Sequence, residues 1–547
     1  MRAARLPGAV FWPEEAQRRY REAGLWRGQT LAQWFQERAQ LFAENVAVVD
    51  GSRRVSYAEL ESNVARLAGG FLARGVAELD RVIVQLPNSL ELVEVLLALS
   101  WLGAVPVLAL PAHRRAELSA FAARARATTL VVPSRNAGAD MLEIAREVQR
   151  EQPSLERIVV HEPQGVLAAP LLDLAVLRAY APVPASAQTL ASDVALLQLS
   201  GGSTGVPKLI ARTHDDYLYS VRQSARVCEL SEQTRFLAAL PMTHNFTLSS
   251  PGILGVFHAG GSVVACPHPL PAIALRLLLE ERITLAASVP SLAQAWLEAK
   301  PRYLRDIALP ELTLQVGGAR LDPQVARELL AGFGCRLQQV FGMAEGLVNY
   351  TRATDSLDVI CETQGRPMSE HDELRVVLPE NPDGPALPAG ELGELQTRGP
   401  YTIRGYFDDP EADAKAFTRD GFYRTGDLVR VTASGNLSVE GRIGDRILRG
   451  GEKIAPQEVE EQLLRHPSVR DVAVVGVADA TWGQKTHAFL ILAEGATLTA
   501  PQARAHLRER GLAEFKLPDV VHVVAELPRT KVGKTDRAAL RARHATG

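Results

Sequence analysis

Cysteine is scarce in this sequence. Only four of its 547 residues are cysteines, Cys228, Cys266, Cys335 and Cys361, and no two of them form a CxxC pair. Structural zinc sites and disulfide frameworks need cysteines at short, regular spacings, so neither is expected. This usage of cysteine fits a protein of the reducing cytoplasm.

An excess of charge of one sign is also lacking. The chain has 60 Lys and Arg residues against 63 Asp and Glu residues, for a net charge of −3, and its basic residues are spread along the chain. Nucleic acids and anionic membranes are bound by concentrated positive charge. Neither is therefore expected as the main partner.

The sequence has neither the pattern of a secretion signal nor that of a membrane span. Two early arginines are followed by WPEEAQRRYREAG (12–24), where a signal peptide would have its apolar core. The most apolar stretch, LVEVLLALSWLGAVPVLAL (92–110), contains Glu94, Gly103 and Pro106. We predict that it forms a buried helix followed by a buried strand.

What the sequence does have is an alternation of helix and strand patterns. With 547 residues, 46% of them hydrophobic, it predicts a soluble globular protein of more than one domain. Ser56 and Glu59 form a capping box that opens a helix. Strand and helix patterns alternate from there to residue 135, and again through 156–300. This alternation predicts parallel sheets in a layered α/β architecture.

The pattern changes after residue 365. Short alternating runs, broken by PENPDGPALPAG (379–390), predict antiparallel strands joined by turns. From residue 446 the order helix, strand, strand, helix predicts a compact α/β unit. We therefore expect a large domain followed by a small one.

The strongest local motif is SGGSTGVPK (200–208), which follows an apolar strand pattern. Its glycines and hydroxyls suit a loop that wraps around an anion, and Lys208 adds positive charge. The Walker pattern GxxxxGK[ST] does not match, because Lys208 follows Pro207 and precedes Leu209. We interpret the motif as a phosphate loop of a different kind, with a flexible Gly/Ser turn as the alternative.

Three further motifs follow, and each also has an ordinary interpretation. GFYRTGDLVR (421–430) places Asp427 after a glycine turn, where a carboxylate can accept bonds from a ribose diol. GRIGDRILRGGEKIAPQEVE (441–460) has the charge and glycine of a hinge, and PRTKVGKTDRAAL (528–540) places Lys531 and Lys534 on a loop. Singly, these patterns also suit a turn, a linker and a solvated basic tail.

Together and in this order, the motifs resemble those of the ANL superfamily of adenylate-forming enzymes, which includes acyl- and aryl-CoA ligases, luciferases and peptide-synthetase adenylation domains. SGGSTGVPK resembles the family's phosphate loop, and VFGMAEG (340–346) its adenine and magnesium segment. YRTGD (423–427) resembles the ribose motif, GRIGDRI (441–447) the hinge and PRTKVGK (528–534) the catalytic-lysine segment. The resemblance covers nearly the whole chain.

The resemblance implies an α/β protein with the acyl-adenylate synthetase fold. A large N-terminal domain, residues 1–444, would contain layered α/β subdomains and a β-rich subdomain, and residues 445–547 would form a small mobile α+β domain. The implied reaction has two halves. A carboxylate attacks the α-phosphate of ATP to give an acyl adenylate and pyrophosphate, and a thiol then displaces AMP. ATP and Mg²⁺ are the implied cofactors.

The resemblance also assigns a nucleotide site. Glu345 is the implied Mg²⁺ ligand, a hard oxygen donor suited to that ion. Lys534 is the implied catalytic lysine, Asp445 the hinge, and Gly444 departs from relatives that commonly carry a charged residue before the hinge aspartate. The implied ATP-binding residues are Ser200, Gly201, Gly202, Ser203, Thr204, Gly205, Lys208, Gly318, Ala319, Val340, Phe341, Gly342, Asp427 and Arg442.

By the same resemblance HNFTLSSPG (244–252) forms the acid pocket. Relatives that activate amino acids carry an aspartate at the Asn245 position, and a neutral amide would leave an ammonium unpaired. His244, grouped with Lys534 as catalytic, is expected to line the acid's carboxylate rather than act as a base, while Thr247 is a candidate helix cap. The implied substrate-binding residues are Asn245, Phe246, Ser250, Gly317, Val340 and Val348.

The chain resembles in particular the stand-alone aryl-acid adenylating enzymes of siderophore assembly, through stretches such as QVFGMAEGLVNYTR (339–352). Ser250 and Val348 match the enzymes for 2,3-dihydroxybenzoate, whereas salicylate enzymes tend to carry Cys and Leu; Phe246 stands where a Tyr is common. The expected activity is adenylation of 2,3-dihydroxybenzoate and transfer to a phosphopantetheinylated aryl carrier protein in trans. A salicylate-AMP ligase is the alternative; a benzoate-type CoA ligase or a non-catalytic relative is less favoured.

Overall fold

The computed structural model describes residues 6–165, 167, 171–200, 207–449, 452–479, 481–510, 512, 514–530 and 533–544. The chain forms two compact units. The first contains Met1–Cys361, Gly365–Glu373 and Thr397–Tyr423, and the second contains Glu362–Gln364, Leu374–Gln396 and Arg424–Gly547. This division into compact units does not test which part of the chain moves. The predicted division into a domain of residues 1–444 and a mobile domain of residues 445–547 therefore stays a prediction.

The first unit contains two large sheets. In the nine-stranded sheet the order is Arg366–Pro367, Val348–Tyr350, Arg336–Gly342, Thr313–Gly317, Leu285–Ser288, Arg235–Ala238, Ser262–Ala265, Val46–Asp50 and Arg53–Ser56. In the seven-stranded sheet it is Leu209–Thr213, Val194–Leu199, Val105–Leu108, Arg81–Val84, Thr129–Pro133, Arg157–His161 and Leu172–Asp173. The inner strands pair in parallel, and antiparallel pairing is confined to the edges. A two-stranded ribbon joins Arg135–Asn136 to Ala139–Asp140.

Helices connect these strands, as the predicted alternation requires. They are Glu14–Glu22, Leu31–Leu41, Tyr57–Ala73, Leu90–Leu102, Arg115–Ala125, Met141–Glu151, Leu174–Leu177, His214–Val227, Asn245–Ser249, Gly252–Ala259, Pro271–Glu280, Pro290–Tyr303, Pro323–Phe333, Leu357–Glu362 and Pro410–Ala416. The capping box of Ser56 and Glu59 opens Tyr57–Ala73, as predicted. The apolar stretch 92–110 forms the buried helix Leu90–Leu102 and the buried strand Val105–Leu108, which is also confirmed.

The second unit contains most of a four-stranded sheet, whose strands are Glu373–Val377, Gly393–Arg398, Tyr423–Val431 and Leu437–Arg442 in that order. A second sheet has the order Glu452–Ile454, Ile447–Arg449, Gly483–Leu492 and Val469–Asp479, and Val520–Val523 pairs with Gly483–Leu492. The helices Pro456–Leu464, Ala500–Glu509 and Arg537–His544 and the short 3₁₀ turns Ile443–Asp445 and Glu514–Lys516 complete the unit. These elements confirm the antiparallel strands and the α/β tail expected from the sequence.

Together the two units give a mixed α/β protein of layered sheets and helices, which is the predicted fold class. Within the part of the chain that the structure describes, every helix is too short or too polar to cross a membrane. The four cysteines are free thiols, and burial raises the pKa of Cys228 above its ordinary range and that of Cys266 and Cys335 to about 11.

Candidate active site

The base of the predicted phosphate loop is closed by two hydrogen bonds. The strands Val194–Leu199 and Leu209–Thr213 are antiparallel neighbours, so the loop between them starts and ends at one point. The Ser200 N–H donates to the Lys208 carbonyl at 3.0 Å, and the Lys208 N–H donates to the Ser200 Oγ at 2.9 Å. Gly201, Gly202, Ser203, Thr204 and Gly205 lie outside the described residues, so their predicted role stays a prediction.

A tyrosine joins the lysine of this loop to the predicted magnesium ligand. The Lys208 Nζ lies 4.4 Å from the ring centroid of Tyr406, a cation–π distance. The Tyr406 hydroxyl donates to Glu345 Oε1 at 3.0 Å and lies 3.1 Å from the Tyr423 hydroxyl. Burial, with the nearby Glu345 carboxylate, raises the pKa of Tyr406. Lys208 and Glu345 thus contact the same buried side chain, the lysine at the ring and the carboxylate at the hydroxyl.

A buried ion pair anchors the segment that contains Glu345. Arg212 is 1% exposed, and its Nε lies 2.6 Å from Asp216 Oδ1. The same guanidinium donates through Nη1 to the Ala344 carbonyl at 3.0 Å. On the other side, the Ile403 N–H donates to the Glu345 carbonyl at 2.8 Å. Glu345 is therefore fixed at both its backbone and its carboxylate, which suits a residue that must hold an ion in one position.

The acid-pocket segment forms the short helix Asn245–Ser249. His244 is its N-cap, because the His244 Nδ1 accepts from the Phe246 N–H at 3.2 Å. Thr247 lies inside this helix, so the expectation that it caps a helix is wrong, and its buried hydroxyl has no partner among the described residues. Since Nδ1 of His244 is an acceptor, the ring proton lies on Nε2. His244 thus carries its donor N–H at Nε2, in keeping with the expectation that it lines the pocket rather than acts as a base.

Asn245 is held in a network of uncharged groups. Its side-chain oxygen accepts from the Tyr217 hydroxyl at 3.1 Å and from the Ser249 hydroxyl at 3.0 Å. Gln198 in turn donates to the Tyr217 hydroxyl at 3.2 Å. Burial raises the pKa of Tyr217, so the phenol keeps its proton. With its oxygen occupied twice, Asn245 has its NH₂ group as the part able to bind a ligand.

A directed chain of hydroxyls runs from Tyr350, near Ser250, to a methionine sulfur. Tyr350 donates to Ser224 Oγ at 3.0 Å, and Ser224 donates to the Met368 sulfur at 3.2 Å. Burial raises the pKa of Tyr350, and side-chain hydrogen bonds with Ser224 and Ser250 oppose the rise. A thioether sulfur can only accept, so the direction of every hydroxyl in the chain is set. Because the Tyr350 proton is committed to Ser224, a hydrogen bond between Ser250 and Tyr350 would have Ser250 as its donor.

The remaining predicted pocket residues form close contacts on the nine-stranded sheet. A Cβ atom added to Gly317 would come within 2.6 Å of the Val340 carbonyl oxygen and 3.3 Å of the Phe246 ring. One added to Gly342 would come within 3.1 Å of Val348. Gly317, Phe246 and Val340 therefore share one wall, and Gly342 with Val348 another. Of the predicted nucleotide residues nearby, Gly318, Ala319 and Gly342 are exposed and Phe341 is half-buried.

In the second unit, the predicted ribose residues pair with each other. Asp427 and Arg442 face one another on adjacent antiparallel strands, and the Arg442 Nε donates to Asp427 Oδ1 at 2.7 Å. The Asp427 N–H donates to Thr425 Oγ1 at 3.0 Å. Asp427 is 7% exposed, whereas the Arg442 side chain is half-exposed. The guanidinium thus covers the carboxylate from the solvent side.

The predicted hinge and catalytic lysine also lie in this unit. Asp445 closes the turn Ile443–Asp445, and its Oδ1 accepts from Arg541 at 2.7 Å. Lys534 is bonded to Thr530, because the Thr530 N–H donates to the Lys534 carbonyl at 2.6 Å and the Lys534 N–H donates to Thr530 Oγ1 at 3.2 Å. Lys534 is half-buried. The two predicted roles stay predictions.

The structure thus pairs several of the predicted residues within each unit, and it adds three tyrosines that the sequence analysis did not single out. Tyr217 contacts Asn245 and Tyr406 contacts Glu345, while Tyr350 lies near Ser250. Tyr350 lies within the motif stretch 339–352, whereas Tyr217 and Tyr406 lie outside the motifs quoted above. No local pattern states which distant side chain each hydroxyl meets.

Comparisons with known proteins agree with this arrangement. Residues 35–407 match the model of the AMP-binding enzyme family, and residues 458–534 match that of the AMP-binding enzyme C-terminal domain. The chain is 48% identical to the 2,3-dihydroxybenzoate-AMP ligase of Bacillus subtilis over 98% of its own length and 97% of that protein. It is 46% identical to a salicylyl-CoA synthase / salicylate adenylyltransferase of Streptomyces sp over 98% and 97%. The apo structure of Mycobacterium smegmatis MbtA superposes with a TM-score of 0.75 at 40% identity, covering 98% of this chain and 99% of that one.

Proposed function

This chain belongs to the AMP-binding enzyme family, and we propose that it activates 2,3-dihydroxybenzoate as its adenylate. The acid's carboxylate attacks the α-phosphate of ATP, so that aryl-AMP forms and pyrophosphate leaves. The phosphopantetheine thiol of an aryl carrier protein then displaces AMP and forms a thioester. We assign this reaction to siderophore biosynthesis in the cytoplasm, where ATP is supplied.

An aryl acid suits the pocket better than an α-amino acid does. Asn245 is neutral and 8% exposed, and its oxygen is occupied by two hydroxyls. An ammonium group buried there would lack a counter-charge, at a cost of several kcal/mol. The Asn245 NH₂ group instead donates to the 2-oxygen of the acid, and Phe246 packs against the aromatic ring.

The choice of 2,3-dihydroxybenzoate depends on whether the Ser250 hydroxyl donates a hydrogen bond to the acid or accepts one from it. We infer that Ser250 donates to Tyr350, whose own proton goes to Ser224 while Ser224 donates to the Met368 sulfur. Ser250 then faces a ligand as an acceptor. The 3-hydroxyl of 2,3-dihydroxybenzoate is a donor and satisfies that acceptor. Salicylate has no 3-hydroxyl and leaves a buried oxygen without a donor, which costs about 1–3 kcal/mol. Val348 forms the apolar wall beside this position.

Salicylate remains the second candidate. The Streptomyces relative is named for salicylate, and its identity to this chain is nearly as high as that of the Bacillus relative. Phe246 also favours it, since a phenyl ring has no hydroxyl to offer a second ring oxygen. The free-energy difference between the two acids is therefore modest.

Three groups of motif residues are assigned to the nucleotide. The β- and γ-phosphates are bound by residues 200–205 and Lys208, and the adenine is framed by residues 317–319 and 340–342. The ribose is bound by Asp427 with Arg442. Glu345 fits Mg²⁺, because one of its oxygens accepts from Tyr406 and the other can serve as a hard ligand. Mg²⁺ supplies neutralising charge at the phosphates when bound, and one carboxylate suffices for an ion that keeps waters and phosphate oxygens as its other ligands.

Lys534 acts as the catalytic group of the first half-reaction. Its ammonium stabilises the negative charge that develops when the carboxylate meets the α-phosphate, and it forms no covalent bond. His244 lines the pocket near that carboxylate with its Nε2–H. Asp445 is the hinge at which the small domain, residues 445–547, turns so that the thiol can enter.

ATP–pyrophosphate exchange over a panel of acids tests the proposal. The panel contains benzoate, salicylate, 3-hydroxybenzoate, 2,3-dihydroxybenzoate and two α-amino acids. We expect the highest kcat/KM with 2,3-dihydroxybenzoate and about a tenfold lower value with salicylate, from one unpaired acceptor. A higher value with salicylate would select the alternative, and exchange with amino acids only would refute the aryl-acid assignment. Thioester formation on the carrier protein, compared with free CoA, tests the acceptor.

A further inference from the structure

Away from the proposed active site, the first unit has a cavity lined by arginines. Its volume is about 250 Å³, and Arg27, Arg222, Arg226 and His258 line it together with Gln223 and Tyr219. None of these residues belongs to the proposed acid, nucleotide or hinge residues. A small cavity with three guanidinium groups is unusual in a protein whose total charge is slightly negative.

The three arginines make no ion pair with any residue that the structure describes. Arg222 is 8% exposed, and its Nη2 donates to the Leu25 carbonyl at 2.7 Å. Burial and the neighbouring Arg27 lower the pKa of Arg222 to about 10. The nearby Asp215 carboxylate is already engaged by Arg21 at 2.8 Å. A buried cation without a counter-ion lowers the stability of the folded protein, so an anion bound in the cavity would be stabilising.

His258 adds a neutral donor to the same cavity. The Trp34 indole N–H donates to His258 Nδ1 at 3.2 Å, so the ring proton lies on Nε2. Burial, together with the charges of Arg38, Arg222 and Arg27, lowers the pKa of His258 to about 4. The ring is therefore uncharged near neutral pH and presents an N–H. Neither an Asp nor a Glu lines the cavity.

We propose that this cavity is a binding site for a phosphate group, with Arg222 as its central ligand. Guanidinium groups bind phosphate and carboxylate by paired N–H donors. A carboxylate has two oxygens in one plane, whereas three arginines and a histidine approach from several elements and suit a tetrahedral anion with more oxygens. The volume fits inorganic phosphate or the phosphate end of a small metabolite, which are the two sources of the same chemistry.

The site lies on a helix that the acid pocket also uses. The helix His214–Val227 contains Tyr219, Arg222, Gln223 and Arg226. On its other side, Tyr217 donates to Asn245 and Ser224 accepts from Tyr350. The site is nevertheless independent of the proposed reaction. The proposal of a phosphate site does not depend on which acid the enzyme activates.

Titration of the full-length protein with inorganic phosphate tests the site, with Tm and isothermal titration calorimetry as readouts and chloride keeping the ionic strength constant. We expect phosphate, but not chloride, to raise the Tm. Arg222→Met should weaken phosphate binding by about tenfold or more, because it removes a charged donor. Without phosphate, the same variant should be at least as stable as the wild type, because it removes an unpaired buried charge.

Two further variants keep the test decisive. Arg226→Gln changes an exposed side chain, so it folds, and it should weaken phosphate binding by about threefold to tenfold. Arg302→Gln is the matched control, since Arg302 is exposed, has no ion pair with a described residue and lies on another helix. It should bind phosphate like the wild type.

Four results would overturn the proposal. One is the lack of any phosphate-specific effect in the wild type, and another is unchanged binding in both Arg222→Met and Arg226→Gln. The third is loss of binding in Lys208→Ala with retention in Arg222→Met, which would assign the phosphate to the nucleotide site. The fourth is benzoate binding more tightly than phosphate in the same cavity. If small phosphate esters compete with inorganic phosphate and bind more tightly, the natural ligand is an ester; otherwise it is the free anion.

Discussion

The acid pocket of the first unit and the ribose, hinge and lysine residues of the second are built from different interactions. In the pocket, Asn245 is held by two buried, uncharged hydroxyl groups, and further uncharged hydroxyl groups lie near Ser250. In the second unit, Asp427 and Asp445 are held by guanidinium groups that are partly exposed. A buried chain of hydroxyls fixes which atom donates and which accepts, and so discriminates between ligands. A partly exposed ion pair fixes charge but little direction, and it can be exchanged for a ligand at small cost.

The largest effect is expected from the second unit, where charge acts on the reaction itself. Lys534→Ala should lower adenylation by about 100-fold or more, because a charged donor to the transition state is lost. Transfer from preformed aryl adenylate to the carrier should stay largely intact. Lys485→Ala is the control, since Lys485 lies in the same unit and pairs with Asp479 at 2.7 Å. Equal losses in both half-reactions would show that the role assigned to Lys534 is wrong.

A charge placed in the uncharged pocket tests the other side of the comparison. Asn245→Asp should raise the KM for the acid by about 100-fold, because two carboxylates would then meet in a buried site. Ser249→Ala serves as its control, since it removes one of the two donors to Asn245 but adds no charge. If Asn245→Asp left the KM unchanged, Asn245 would not contact the acid. The exchange assay at varied acid concentration measures both variants.

Tyr406 joins the two kinds of interaction, because its neutral hydroxyl positions a carboxylate. Tyr406→Phe should raise the Mg²⁺ concentration needed for half-maximal activity by about tenfold, since Glu345 loses the donor at 3.0 Å. Tyr423→Phe removes the second hydroxyl but leaves the bond to Glu345, and it should have a smaller effect. Equal Mg²⁺ requirements in the two variants would contradict the role given to Tyr406.

The smallest predicted effect is the most specific. Tyr350→Phe should lower the preference for 2,3-dihydroxybenzoate over salicylate by about threefold to tenfold, because Ser250 loses the acceptor that fixes its direction. Tyr219→Phe removes another buried hydroxyl, which lies 2.6 Å from Ser369, and should leave the preference unchanged. A drop in kcat/KM by the same factor for both acids would mean that Tyr350 acts on stability alone.

The fold was largely predictable, because its elements depend on local patterns such as the capping box at Ser56 and the apolar alternation. The resemblance of the ordered motifs indicated the same fold and supplied the candidate site residues, whose roles stay predictions. The hydroxyl chains were not predictable. Tyr217 lies 28 positions from Asn245, and Tyr406 lies 61 positions from Glu345. Spacings of this size depend on the sheet topology, and no periodicity records them.

Thr247 illustrates the same limit at short range. Ser, Thr and Asn favour helix caps, and four such residues, Asn245, Thr247, Ser249 and Ser250, lie within a few positions. The cap is His244, whose ring nitrogen takes the role that a hydroxyl or amide oxygen usually has. The residue types therefore indicated that a helix begins in this segment, but not which residue caps it. The backbone path before the helix decides which side chain reaches the first N–H groups.

The pairing of Asp445 with the C-terminal helix has a mechanical consequence. Arg537 and Arg541 lie one turn apart on Arg537–His544, which begins shortly after Lys534, and both face Asp445, at 3.8 and 2.7 Å. Arg537 is the first residue of the helix, so Asp445 is held against the same helix end that Lys534 precedes by three positions. If residue 445 is the hinge, as proposed, a change of a few backbone dihedral angles there would move this helix end and the Lys534 segment together.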